Sequence, residues 1–273
     1  MRIYHNTASM NILKQYNRVL KKQEKSLSEI SSGIKIKSAK DGPNQLSKGE
    51  KINMRIRGTQ MAERNMQDGM SMLQTAEGGL SNITDMLQRT KELLVSRGNG
   101  SLSADDKKIV DNEIKSITEG IYSIADNTEF NGVKLLSGND PETNIIMASG
   151  SEAQEYIKIP LSNIGKTGNM NLDSLYDEGL DLDEKLNLAD TAMNNLISIR
   201  STYGALESRF EGTYDRLSDI DQSLQGAESD LMDSDIAEET AEFSKYQILA
   251  EASNALMVQT NRMPSEILKI LDR

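Results

Sequence analysis

The chain has 273 residues, enough for one large or two modest cores, and it contains three Phe, no Trp and no Cys; a disulfide framework and a thiolate metal site are thereby excluded. Leu, Ile, Met and Ala supply most of the apolar surface, a helical-bundle palette. The net charge is −11, with basic residues concentrated in the first sixty positions and acidic ones in the last hundred, a layout that suits pairing between the two ends better than a nucleic-acid-binding arm.

Met1-Arg2-Ile3-Tyr4-His5-Asn6 leads into polar helix without an apolar run of signal-peptide length, and no stretch is apolar enough to span a bilayer. The expectation is no membrane partner and, for an exported chain, a route other than general secretion. A weak heptad seam follows at Leu13, Tyr16, Leu20, Leu27, Ile30 and Ile34, with Gln23 at the position between. Ser31-Ser32-Gly33 interrupts it, and Lys40-Asp41-Gly42-Pro43 ends it, because Gly and Pro disfavour helix continuation.

A second seam runs through Thr59, Ala62, Met66, Gly69, Leu73, Ala76, Leu80, Ile83, Leu87, Thr90 and Leu94, with small residues between large ones so that a neighbouring helix can approach closely. Ser96-Arg97-Gly98-Asn99-Gly100-Ser101 breaks this helix. Ser103-Ala104-Asp105-Asp106 offers an N-cap and first-turn acids for a third helix marked by Val110, Ile114, Ile117, Ile121 and Ile124, which folds back antiparallel.

Between about 131 and 181 the heptads stop. Glu129-Phe130-Asn131-Gly132 signals a turn. Ile157, Ile159 and Leu161 alternate with polar residues or Pro, and Ser149-Gly150-Ser151-Glu152 can turn a hairpin from Ile145–Met147. A small β region capping a helical bundle is expected.

From Ala189 the steps of three and four continue unbroken through Ala192, Leu196, Ile199, Tyr203, Leu206, Phe210, Thr213, Leu217, Ile220, Leu224, Ala227 and Leu231. One helix of about 60 Å is implied, against a radius of gyration of roughly 18 Å for a compact chain of this length, so a rod is expected. Beyond Ser234 the chain is again amphipathic, with Ile236, Phe243, Leu249, Ala252, Leu256, Ile267 and Ile270, and Pro264 is expected to break it near the end. The fold class is mainly α, an elongated coiled-coil or helical-bundle rod with a small β-hairpin region.

Little in this sequence points to catalysis. His5 is the single histidine, which excludes a multi-histidine metal site and a mid-chain Ser-His-Asp triad. Gly98-Asn99-Gly100 lacks the strand and further glycine of a dinucleotide fingerprint. Asp181-Leu182-Asp183 and Asp233-Ser234-Asp235 lack the central Gly and terminal Glu of a calcium loop and read as solvated acids at helix starts. No enzyme activity and no cofactor are expected.

Met1-Arg2-Ile3 with His5-Asn6, Ser31 to Ile36, Gln67-Asp68-Gly69, Gln74-Thr75-Ala76-Glu77-Gly78 and Glu129 to Leu136 occur in order at one end, and Ala227-Glu228-Ser229, Asp235-Ile236-Ala237 and Gln247-Ile248-Leu249 with Ala252 at the other. Over nearly its whole length the chain resembles bacterial flagellin, the flagellar filament subunit. The resemblance implies an inner coiled-coil domain from 1–42 and 234–273, a helical rod at 43–233 with a β-hairpin region around 131–181, and no room for large outer domains. It implies assembly into an extracellular filament for motility, type III export, and as partners other copies of itself, an export chaperone at the C-terminal region, and hook-associated and cap proteins. Assembly or packing seams are expected at Leu13, Leu20, Leu27, Leu73, Leu80, Leu87, Leu206, Phe210, Leu217, Leu224, Leu249 and Leu256. Gln88, Arg89, Leu93 and Glu113 match the stretch that vertebrate Toll-like receptors recognise, with Lys91 departing from the commoner Arg.

Lys40-Asp41-Gly42-Pro43-Asn44-Gln45 departs from the family's alanine-rich turn and resembles the hook-filament junction protein, which stands as the alternative. Ile270-Leu271-Asp272-Arg273 departs from the usual leucine-rich ending and suits a minor or specialised subunit. A more distant alternative is a non-filament coiled-coil binder.

Overall fold

The computed structural model describes residues 6–137, 144–150, 155–165, 170, 172–176 and 179–271. Five helices carry the chain: α1 (Thr7–Ser32), α2 (Pro43–Arg97), α3 (Ala104–Asn127), α4 (Leu182–Met232) and α5 (Ile236–Leu271). The short strands β1 (Glu129–Phe130), β2 (Val133–Lys134), β3 (Asn144–Ala148) and β4 (Tyr156–Pro160) lie between α3 and α4. The fold is mainly α, and it divides into two compact units, Arg55–Ser223 and Met1–Met54 with Leu224–Arg273.

In the Arg55–Ser223 unit the heptads become the core. Leu73, Leu80 and Leu87 of α2 and Phe210 and Leu217 of α4 are buried, and Leu206 packs half-buried against them. Gly69 shows why small residues alternate with large ones: a Cβ there would stand 2.6 Å from the Phe210 ring and 3.0 Å from the Met147 sulfur. Its absence lets one aromatic of α4 and one side chain of β3 seat against the helix. The edge of the α2–α4 pair is polar and equally periodic. Gln60 faces Asp221 at 3.5 Å, Gln67 donates to the Tyr214 hydroxyl at 3.1 Å, and Gln74 donates to Glu207 at 3.1 Å. Arg200 closes this edge on Glu77 at 2.6 Å. The two helices are therefore antiparallel.

α3 begins with a capping box, in which Asp106 N–H donates to the Ser103 hydroxyl at 3.2 Å and Ser103 N–H donates back to Asp106 at 3.2 Å. It folds back along α2, held by a two-pronged Arg97–Asp111 pair at 2.5 and 2.9 Å. Asn131 (φ 51°) and Gly132 (φ 79°) make the two-residue turn between β1 and β2, where a left-handed backbone is required and Asn-Gly supplies it cheaply. β3 and β4 pair antiparallel with Met147 opposite Ile157 and Ile145 opposite Ile159, and these four residues turn toward the helical core. The hairpin is closed by Ser149 N–H donating to the Glu155 carbonyl at 2.9 Å; Ser151 and Glu152 of the expected turn lie outside the described residues.

In the other unit, α1 stops at Gly33, whose φ of 70° and N–H to the Glu29 carbonyl form a left-handed cap. The Ser31-Ser32-Gly33 signal is thus the helix end, and Pro43 opens α2 as its first residue, where a missing N–H is harmless. The break between α4 and α5 lies beside the break after α1: Lys35 N–H donates to the Met232 carbonyl at 2.7 Å and Ser234 N–H to the Gly33 carbonyl at 2.9 Å. Two interruptions in separate stretches of sequence satisfy each other's backbone. Asn53 donates to Glu228 at 2.8 Å, and Gly49 leaves space for Met232.

Pro264 does not break α5, contrary to the sequence expectation; the helix runs through it to Leu271. Proline's fixed φ suits a helix, and its cost comes from the lost N–H and crowding of the carbonyl four residues back. That carbonyl, of Thr260, accepts from the Asn6 side chain at 2.9 Å.

Candidate assembly surface

α1 and α5 pack along each other antiparallel. Asn6 reaches Thr260, the Lys22 ammonium lies 5.5 Å over the Tyr246 ring, and Ile34 bridges to Asp233. The seam between them consists of Ile12, Tyr16, Val19, Gln23, Ser26 and Ile30 on α1, facing Phe243, Tyr246, Ala250, Ser253, Met257 and Thr260 on α5, all buried or half-buried. Both rows step by three and four. Small residues such as Ser26, Ala250 and Ser253 bring the two backbones close.

The terminal leucines are not in this seam. Leu13, Leu20 and Leu27 are 45%, 38% and 53% exposed, each one residue past a seam position. Leu249 and Leu256 are likewise exposed, each one residue before a seam position, and Met263, seven residues beyond Leu256, is exposed too. The expected single row of Leu13, Tyr16, Leu20, Leu27 and Ile30 is split: Tyr16 and Ile30 lie in the seam, and the three leucines lie beside it. Two heptad rows one residue apart compete for the same partner, and the row with smaller side chains lies against α5. Of the other C-terminal residues singled out, Phe243 is half-buried, Ile236 and Ala252 are exposed, and the side chains of Ile267 and Ile270 lie outside the described residues.

In an antiparallel helix pair, a position just after the seam on one helix and one just before it on the other fall on opposite flanks. The pair therefore carries two different apolar edges: Leu13, Leu20 and Leu27 from α1 on one side, and Leu249, Leu256 and Met263 from α5 on the other. Periodicity could have separated them, since the run Ile12-Tyr16-Val19-Gln23-Ser26-Ile30 never misses a step.

The seam also holds an acid pair. Glu29 is buried, Lys25 lies 3.3 Å from it on the same helix, and Glu239 of α5 shares a hydrogen bond with it. Burial first, and then the Glu239 carboxyl, push Glu29 above its ordinary range, against the pull of Lys25.

In the Arg55–Ser223 unit, Gln88, Arg89 and Glu113 are exposed. Arg89 reaches Glu113 at 3.2 Å and Glu92 at 3.4 Å, which hold its guanidinium firmly charged. Leu93 is buried in the core beneath them. Lys91 turns to Asp190 at 2.5 Å. Leu224, in the other unit, is half-buried. Asp235 caps α5 by accepting from Ala237 N–H at 2.8 Å, and His5 lies outside the described residues. Among the described residues no cluster of His, Cys, Asp or Glu is placed to hold a metal ion, and no helix is long and apolar enough to cross a membrane.

Comparison with known proteins places these features in a family. Residues 3–140 match the family model described as the bacterial flagellin N-terminal helical region, and residues 186–271 match the C-terminal helical region. Flagellin of Bacillus subtilis (strain 168) is 34% identical, covering 99% of this chain and 100% of that protein. The flagellar filament 33 kDa core protein of Treponema phagedenis is 30% identical, again over 99% and 100%. A solved structure described as a flagellar hook-associated protein from Vibrio parahaemolyticus aligns at a TM-score of 0.60 with 17% identity, covering 71% of this chain and 100% of that one, a likeness of fold alone.

Proposed function

The chain belongs to the bacterial flagellin family, and we propose that it polymerises by seating the Leu13–Leu20–Leu27 flank of one copy against the Leu249–Leu256–Met263 flank of the next. It is a structural subunit of the flagellar filament, which lies outside the cell and serves motility. The observation that supports the docking mode is the pair of unlike apolar edges. Unlike edges make a heterologous contact, which propagates as an open polymer instead of closing as a dimer. Each buried Leu contributes about 1.5–3 kcal/mol, too little alone to order the termini, so contacts must form together along the lattice.

On this proposal 1–42 and 234–273 form the inner coiled-coil layer, and 43–233 forms the rod. The role is structural and not catalytic. The open α5 edge gives an export chaperone an apolar face to cover before type III secretion, and the polymer ends meet hook-associated and cap proteins. Gln88, Arg89 and Glu113 form an exposed polar cluster suited to a vertebrate Toll-like receptor, with Leu93 supporting it from below.

Negative-stain microscopy of the salted-out chain tests assembly: filaments are expected, and their absence in wild-type protein overturns the docking proposal. A receptor-reporter cell assay tests the immune contact, where Arg89→Ala is expected to lower the response about tenfold, the effect of losing one well-placed charge-assisted contact. An unchanged response removes that role.

A further inference from the structure

α5 contains a proline where its polypeptide must remain helical. Pro264 has no N–H, so the Thr260 carbonyl loses the partner that any other residue at 264 would provide. The Asn6 Nδ2 donates to that carbonyl at 2.9 Å, while Asn6 Oδ1 accepts from Ser9 N–H at 3.1 Å as the N-cap of α1. Beside it, the Ser9 hydroxyl donates to Asn261 Oδ1 at 2.9 Å. One asparagine thus completes the start of α1 and fills a gap in α5, 254 positions away.

We infer that Asn6 and Pro264 form a clasp that makes the last turns of α5 conditional on the docking of α1 and fixes the register of the two helices. Proline is by far the poorest residue in a helix interior, so the segment beyond Thr260 is a poor helix by itself. Docking of α1 returns one hydrogen bond to it. The same side chain cannot cap α1 and reach Thr260 unless the helices stand in one register, because both of its polar ends are committed. The clasp is independent of which apolar edge meets which neighbour. It uses only residues within one chain.

The test uses four full-length chains: wild type, Asn6→Ser, Pro264→Ala and the double variant. Serine keeps a side-chain oxygen for the N-cap but is too short to reach Thr260, so Asn6→Ser removes only the cross-helix bond. Each chain is allowed to reach equilibrium with its filaments, and the free-subunit concentration and amide exchange at positions 261–271 are read. In the Pro264 chain, Asn6→Ser is expected to raise the free-subunit concentration about fivefold, the effect of one net hydrogen bond, and to speed exchange. In the Pro264→Ala chain the same change is expected to alter the concentration less than about twofold, since the Ala amide then serves the Thr260 carbonyl. Pro264→Ala alone is expected to slow exchange at 261–271 in unassembled subunits. Equal effects of Asn6→Ser in both backgrounds overturn the clasp. If Asn6→Ser alone blocks assembly, recovery in the double variant upholds the clasp and failure to recover overturns it.

Discussion

Glu29 of α1 and Glu239 of α5 meet carboxyl to carboxyl across the seam, with Lys25 3.3 Å from Glu29 offsetting part of the charge. A carboxyl whose value is raised on folding adds most to stability when protonated. Its contribution is present below the ordinary value of 4.5 and is lost as pH rises through the raised one. At neutral pH the pair therefore works against the seam. Filaments of Glu29→Gln should dissociate a few degrees above wild type at pH 7 by light-scattering melts, and the difference should shrink as pH falls toward 4.5. A pH-independent difference would contradict the shared-proton account.

The exposed edges make a sharper demand. Leu20→Gln should leave the folding of the subunit intact, since Leu20 already faces solvent, yet raise the concentration needed for polymerisation by about ten- to a hundredfold, the equivalent of about 1.5–3 kcal/mol per buried leucine. Lys21→Gln, at the adjacent exposed position, should change it little. Sedimentation of polymer from free subunits reads both. Equal effects of the two changes would mean that charge, and not the apolar edge, governs docking.

Gly69 and Phe210 make a close approach between α2 and α4. Gly69→Ala places a methyl 2.6 Å from the ring, which the core must relieve by shifting, at a cost of about 1–3 kcal/mol. Phe210→Ala opens the same place instead and should cost about 3–5 kcal/mol. The double variant should be less damaging than the sum of the two, because the cavity accepts the added methyl. Urea unfolding midpoints measure all three, and strict additivity would place the contact elsewhere.

The seams of α2 and α4 were legible because large apolar side chains repeat there every seven residues, and the second row of α2, with Met72 and Leu93, is buried as well, so period and burial coincide at Leu73, Leu80, Phe210 and Leu217. The Ser103 cap and the Asn131-Gly132 turn were legible for a local reason, since each is specified by two or three adjacent residues. α1 and α5 were harder. Two rows run side by side, and the larger leucines drew attention to the row that the pair leaves open. Pro264 misled because its penalty is local whereas its remedy, Asn6, lies at the other end of the sequence. Periodic polar contacts such as Gln67–Tyr214 and Gln74–Glu207 were invisible too, because a glutamine at a seven-residue interval carries no signal until its partner is known.

Tyr122 extends the stability argument to high pH. Its hydroxyl accepts from Leu172 N–H at 3.1 Å and joins α3 to the segment before α4. Burial, aided by Asp173, pushes the phenol from 10.0 up to about 12, against the lowering effect of the Leu172 amide. A value raised on folding means that the stabilisation is intact below 10.0 and drains away as pH rises through about 12. In an ultraviolet titration Tyr122 should ionise well after an exposed tyrosine. Tyr122→Phe should cost about 0.5–1.5 kcal/mol at neutral pH, because the Leu172 N–H loses one of two acceptors and keeps the Met170 carbonyl at 3.0 Å, and it should flatten the fall in urea midpoint between 10.0 and about 12. An unchanged alkaline slope in the variant would assign that fall to other groups, with Tyr203, also raised by burial, the next to substitute.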